Sequence, residues 1–259
     1  MKPFLLLSTR PEDAAAEGER EAVVRLSGLT DEDVVQMRVE EAPLPRVDLD
    51  KFAGVFLGGG PFNASDDPKT DLQLRVERDL GTVIDEVVER DLPFLGLCYG
   101  IGALSSRLGG RVDRTYGEEV RVAVVRLTDE GRADPLFDGV PDQLTAFVGH
   151  KEASRDLAPD AVLLASGDLC PVQAFRVGRN VYATQFHPEL DQEGMATRIR
   201  IYSTAGYFPP EATEELVVFA RGAVLAPEVH RLLTNFVSIA RLRERSLIET
   251  PLEDSSVIP

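Results

Sequence analysis

Three short, largely apolar runs, at residues 4–7, 53–57 and 92–97, constrain this chain more than any other feature. A strand with one wet face alternates apolar and polar residues. A strand that is apolar at nearly every position must be covered on both faces. Helical stretches lie between these runs. Residues 11–26 are charged and alanine-rich, and residues 71–90 place Leu72, Val76, Leu80, Val83, Ile84, Val87 and Val88 at helical spacing. A further strand is predicted at 34–39, and a helix at 100–108 that stops at Gly109-Gly110. This alternation of strand and helix predicts an α/β fold with a parallel sheet between helical layers.

From residue 120 the pattern changes. Strands are predicted at 120–127, 144–148, 162–166, 172–177 and 180–186, with a hairpin turn at Val177-Gly178-Arg179-Asn180. Residues 190–227 read as an insertion carrying a helix at 211–221. A last amphipathic helix is predicted at 227–243. The domain is expected to span 1–241, with a polar tail over 242–259 that should be mobile.

The length of 259 residues and a hydrophobic content of 43% suit a globular chain with a substantial core. Acidic residues outnumber basic ones 44 to 28, a formal net charge of −16. Such a surface repels nucleic acid and anionic membrane, so neither is an expected ligand. Only two cysteines are present, Cys98 and Cys170, which argues against a disulfide framework and a structural metal site. No apolar run is long enough to span a bilayer, and the short apolar start is followed by Arg10, Glu12 and Asp13. A cytoplasmic location is expected.

Cys98 lies in Gly96-Leu97-Cys98-Tyr99-Gly100, with a buried strand before it and a helix after it. This is the layout of a nucleophile elbow with cysteine in the serine position. Side chains two positions either side would clash in so sharp a turn. The helix N-terminus would aim free N–H groups at the sulfur and favour thiolate. The alternative is a buried cysteine at a strand end. Cys170 has no elbow and reads as structural. His187 and Glu189 lie in Gln185-Phe186-His187-Pro188-Glu189, at the C-terminal end of a predicted strand, where open α/β sheets place their sites. A carboxylate two residues on can fix the imidazole tautomer and stabilise imidazolium. His230 reads as an ordinary helix residue. His150 follows a strand and either contacts substrate or is structural. Gly58-Gly59-Gly60-Pro61 closes the third strand, and its backbone N–H groups, with that of Tyr99, could hold an oxyanion. A phosphate loop is the competing reading, but the Gly-Lys-Ser/Thr ending is missing.

These three motifs, in this order, resemble the class I glutamine amidotransferase family, in a stand-alone form similar to the glutaminase domain of GMP synthase. Leu108-Gly109-Gly110 and Asn235-Phe236 also fit. The resemblance implies a three-layer sandwich with a mixed, mainly parallel central sheet. It implies Cys98 as nucleophile, His187 as acid and base, Glu189 as its orienter, and Gly60 and Tyr99 as oxyanion donors. Gly59, His150 and Gln185 would contact substrate. No cofactor or metal is implied. The ligand would be L-glutamine or another γ-glutamyl compound. Ammonia would pass to a separate synthetase, because no ATP-binding or pyrophosphatase motif is present. A free-standing γ-glutamyl hydrolase or peptidase is the alternative. A non-catalytic binding module is a third reading, against which the intact triad argues. Two departures stand out. Gly102 occupies the position, four after the cysteine, where the family often has glutamine. The stretch 190–227 exceeds the usual short link and could cover the site or form a contact surface.

Overall fold

The computed structural model describes residues 1–249. Its elements are β1 (Phe4–Ser8), α1 (Asp13–Ser27), β2 (Val34–Arg38), β3 (Val55–Leu57), α2 (Asp71–Glu89), β4 (Phe94–Leu97), α3 (Tyr99–Arg107), β5 (Arg111–Asp113), β6 (Glu118–Leu127), α4 (Asp129–Ala133), β7 (Gln143–His150), β8 (Ala153–Asp156), β9 (Val162–Gly167), β10 (Ala174–Val177), β11 (Val181–Thr184), α5 (Gln192–Ile201), α6 (Thr213–Gly222) and α7 (Arg231–Glu249). Among the described residues no helix is long and apolar enough to cross a membrane.

The central sheet has the order β2-β1-β3-β4-β11-β10-β9-β6-β7. Its first five strands are parallel, and the ladders from β11 to β7 are antiparallel. Strand β1 shows why its sequence is apolar throughout. Phe4 and Leu6 join the core under α1 and α7, while Leu5 and Leu7 join the core under α2 and α3. Both faces are therefore covered by helices, in three layers. The period-3.6 pattern of α2 delivers Val76, Leu80, Val83, Ile84 and Val87 to one of these cores. Its first turn is capped by Thr70, whose hydroxyl accepts from the Gln73 N–H at 3.2 Å.

The hairpin turn predicted at 177–180 joins β10 to β11, with Val177 opposite Val181 and Gly178 at φ 59°. Four elements were not visible in the sequence: β5, β8, the short helix α4 and helix α5. Strands β5 and β8 form a separate two-stranded sheet. Helix α5 begins at Asp191, whose carboxylate accepts from the Gly194 N–H at 2.8 Å. Helix α7 does not end at Arg243 but runs to Glu249, so the stretch assigned to a polar tail from 242 is helical as far as it is described. The reason is tertiary: Arg241 donates to the Lys2 carbonyl, Glu244 accepts from the Lys2 N–H, and Arg243 donates to the Arg90 carbonyl. The remainder of the expected mobile tail, 250–259, lies outside the described residues. Helices α5 and α6, in the 190–227 stretch, have a small core of their own around Phe147, Leu190, Met195, Ile199, Val217 and Ala220.

Candidate active site

The site forms where β3, β4 and β11 end. Cys98 follows β4 directly and caps α3, with φ 51° and ψ −94°. A positive φ is costly for any residue with a Cβ, and such strain persists only where the surroundings enforce it. Here the Cys98 N–H donates to the Thr184 carbonyl at 2.8 Å, locking the turn to β11. A Cβ on Gly96 would sit 2.9 Å from the backbone of Gly100, the clash the sequence predicts for this elbow.

His187 lies three residues beyond β11 and is 4% exposed. Its Nδ1 is 2.7 Å from Glu189 Oε1. That leaves Nε2 for Cys98, whose sulfur is near enough to influence the ring by charge and hydrogen bonding. Burial opposes charge on His187, but the Glu189 carboxylate and Cys98 outweigh it and push the imidazole up to about 9. Burial likewise opposes charge on Glu189, yet His187 and Arg198 hold the carboxyl far below the usual range. Glu189 Oε2 is buried without a hydrogen bond.

The triglycine loop is fixed by a residue the sequence did not flag. Glu19 on α1 is fully buried and accepts from Ser8 Oγ, from Arg10 Nε at 2.8 Å and from the Gly59 N–H at 3.1 Å. The Gly59 N–H is therefore engaged inside the protein, which leaves Gly60 as the loop's free donor beside Cys98. Both Gly60 and Cys98 border the same two hollows. Tyr99 follows Cys98 as the first residue of α3, where backbone N–H groups lack helical partners.

Of the residues expected to bind substrate, Gln185 is buried with Oε1 unpaired at the cleft wall. His150 has both ring nitrogens engaged within the protein, Nδ1 with the Glu152 carbonyl at 2.8 Å and Nε2 with Glu118 at 3.1 Å. Glu152 in turn accepts from the Ala64 and Ser65 N–H groups at 2.6 and 2.8 Å and pins the loop after Gly60. Burial raises its carboxyl above the ordinary range. His230 bonds the Pro188 carbonyl at 2.7 Å and so supports the segment between His187 and Glu189.

The 190–227 stretch contributes directly. Arg198 of α5 donates to Glu189 Oε1 at 3.1 Å, and Tyr202 accepts from Arg10 at 3.0 Å. Tyr207 lines both hollows beside Cys98. Lys151 holds this strap by donating to the Ala205 carbonyl at 2.9 Å and lying 4.3 Å from the Tyr207 ring centre. Nothing in the local sequence marks these residues, since each is far from Cys98 along the chain.

One cluster of metal-ligating types exists among the described residues: Glu118, His150 and Cys170, with ligand atoms within 4.8 Å of one another. It forms a buried polar network in which Glu118 Oε1 and Gln173 Oε1 remain without a hydrogen bond. Glu118 Oε2 is bonded by His150 and by Gln173 at 2.8 Å. Burial pushes the Cys170 thiol up to about 12, and Cys170 donates to the Val172 carbonyl. A protonated thiol is a poor metal ligand.

The family model for glutamine amidotransferase class-I matches residues 21–200. A glutamine-hydrolyzing GMP synthase component from Picrophilus torridus, named as one subunit of that enzyme, is 29% identical over 157 residues, covering 59% of this chain and 77% of that protein. The glutamine-hydrolyzing GMP synthase of Thermosipho africanus is 28% identical over 148 residues, 57% of this chain, but the match spans only 26% of that protein. A crystal structure of a glutamine amidotransferase from Thermotoga maritima superposes with a TM-score of 0.72 at 21% identity, covering 93% of this chain and 98% of that one. The last likeness concerns the fold.

Proposed function

This chain belongs to the glutamine amidotransferase class-I family, and we propose that it hydrolyses the side-chain amide of L-glutamine to glutamate and ammonia. The observation that carries this reading is the Glu189–His187 contact of 2.7 Å set against Cys98 on a strained elbow. In the proposed cycle the Cys98 thiolate attacks the amide carbon. The oxyanion is held by the N–H groups of Gly60 and Tyr99. The C–N bond breaks as His187, protonated, gives its proton to the departing ammonia. Water then attacks the γ-glutamyl thioester, passes a proton to His187, and the thiolate leaves. Glu189 holds His187 in the tautomer that presents Nε2 to the sulfur. These steps use only groups of the chain and water.

Gln185, with its unpaired Oε1, and the backbone around Gly59 are the proposed substrate contacts, while His150 acts by supporting Glu152. Relatives whose names describe one subunit of a glutamine-hydrolyzing GMP synthase support delivery of ammonia to a separate synthetase. Ammonia release from L-glutamine by wild type beside Cys98→Ala tests the reading. Release by wild type that the substitution abolishes is the expected result. Equal release by both proteins overturns it.

A second reading, hydrolysis of other γ-glutamyl amides, is favoured by one observation. Gly102 stands where the family often has glutamine, and Glu152 Oε1 lies 3.0 Å from where a Cβ on Gly102 would be. The space a glutamine side chain would enter is held by a carboxylate that accepts from the Ala64 and Ser65 N–H groups, so the contact the family often makes from this position is not available here.

A further inference from the structure

Two hollows meet at Cys98. One is walled by Gly102, Glu152 and Gln185, and the other by His187, Arg10 and Tyr202. In the proposed cycle His187 protonates the departing nitrogen. Any substituent on that nitrogen therefore extends into the hollow on the His187 side, while the γ-glutamyl group occupies the other. Ammonia needs no such space. The volume on the His187 side is about 50 Å³. At ~10–15 Å³ for each water-sized occupant, its inner part has room for roughly four non-hydrogen atoms, and the hollow opens to solvent beyond them.

The charge in this hollow is specific. Arg10 is 3% exposed, and its Nε and Nη1 are taken by Glu19 and Tyr202. Its Nη2 makes no hydrogen bond among the described residues. That nitrogen lies 2.5 Å from where a Cβ on Gly59 would be, and Cys98 Cβ is 3.7 Å from the same point. A guanidinium N–H without a protein partner, reachable from the hollow beside Cys98, is a donor available to a ligand. The other cation here, Arg198, is held by Glu189 at 3.1 Å and approaches Glu19 at 3.8 Å. Glu19 and Glu189 thus face the two arginines. Arg198 Nε and Nη2 also lack hydrogen bonds among the described residues, so both guanidiniums lend positive charge to the hollow, and Arg10 Nη2 is the donor set against Gly59 and Cys98.

We infer that this hollow is a subsite for a small departing amine that bears a carboxylate, bound by Arg10 Nη2, so that γ-glutamyl amides of a small amino acid are substrates. The inference rests on the Cys98–His187 reading above and extends it to the substrate's far side. The balance is that of glutamine hydrolysis. The amide C–N bond breaks, His187 gives its proton to the amine nitrogen, and water restores Cys98 while glutamate leaves. Beyond its nitrogen, glycine carries four heavy atoms, which matches the space.

The test compares the purified full chain on L-glutamine, γ-glutamylglycine and γ-glutamylmethylamide, whose amine has no carboxylate. A kcat/KM for the glycine amide at least tenfold above that for the methylamide is expected. Arg10→Gln should lower this ratio at least tenfold, mainly through KM for the glycine amide. A measurement without a variant accompanies it: free glycine should inhibit wild-type glutamine hydrolysis at concentrations where methylamine does not. Equal rates for the two amides, with glutamine still cleaved, overturn the subsite and leave the proposed function standing. No cleavage of any of the three, and no acylation of Cys98 by a γ-glutamyl electrophile, overturns both.

Discussion

Replacing Glu189 by Gln preserves the shape of the triad and removes its charge. His187 is held at about 9, from an ordinary 6.5, by Glu189 and Cys98 acting against burial. That difference corresponds to roughly 3 kcal/mol in favour of imidazolium, at about 1.36 kcal/mol for each pKa unit. His187 is almost fully buried, so solvent screening takes little of this away. The form able to attack and then protonate the leaving group carries imidazolium. It exists below the His187 pKa and disappears as pH rises through it. Wild-type kcat/KM should therefore fall above about pH 9. In Glu189→Gln, burial acts with one fewer opposing charge, and the falling limb should move to lower pH. At pH 8 kcat/KM should drop by about 10²–10⁴-fold, since loss of the orienting carboxylate also misplaces the tautomer. Ammonia release from glutamine across pH 6–10, with circular dichroism to confirm folding, provides the assay. A folded Gln variant whose falling limb stays where wild type has it would refute the argument that Glu189 sets the protonation of His187.

Three further outcomes follow from the packing. Gly96→Ala places a Cβ 2.9 Å from the Gly100 backbone, and should cost about 1–3 kcal/mol and lower the thermal midpoint by roughly 3–10 °C. Glu19→Ala leaves Arg10 buried with its principal counter-charge gone, and should cost about 3–5 kcal/mol in urea unfolding. Cys170→Ala should leave hydrolysis unchanged with a loss of about 1–2 kcal/mol, and at neutral pH alkylation of wild type should spare Cys170, whose thiol burial holds at about 12.

The parts of this protein that were legible in the sequence are those whose cause is local. Unbroken apolar runs announce strands covered on both faces, and β1 divides its residues between two cores accordingly. The elbow glycines flank Cys98 because the turn brings Gly96 against Gly100, a contact made within five residues. His187 and Glu189 are two residues apart, so the pairing itself is local even though His230 and Arg198 brace it. Helix α5 was harder to see, because its apolar residues are few and its start depends on a single Asp191 cap.

Tertiary structure alone decided what surrounds that core chemistry. Glu19 reaches the Gly59 N–H from 40 residues away. Arg10 meets Tyr202 across 192 residues. Arg198 reaches Glu189 from α5, and Lys151, the residue after β7, ties down Tyr207. A charged residue on a helix reads as solvated surface in one dimension, because its partner's position is set by packing between distant elements. The sequence therefore determined which residues are proposed to attack and to move the proton. The fold decided what holds them, and what charge lines the hollow beside Cys98.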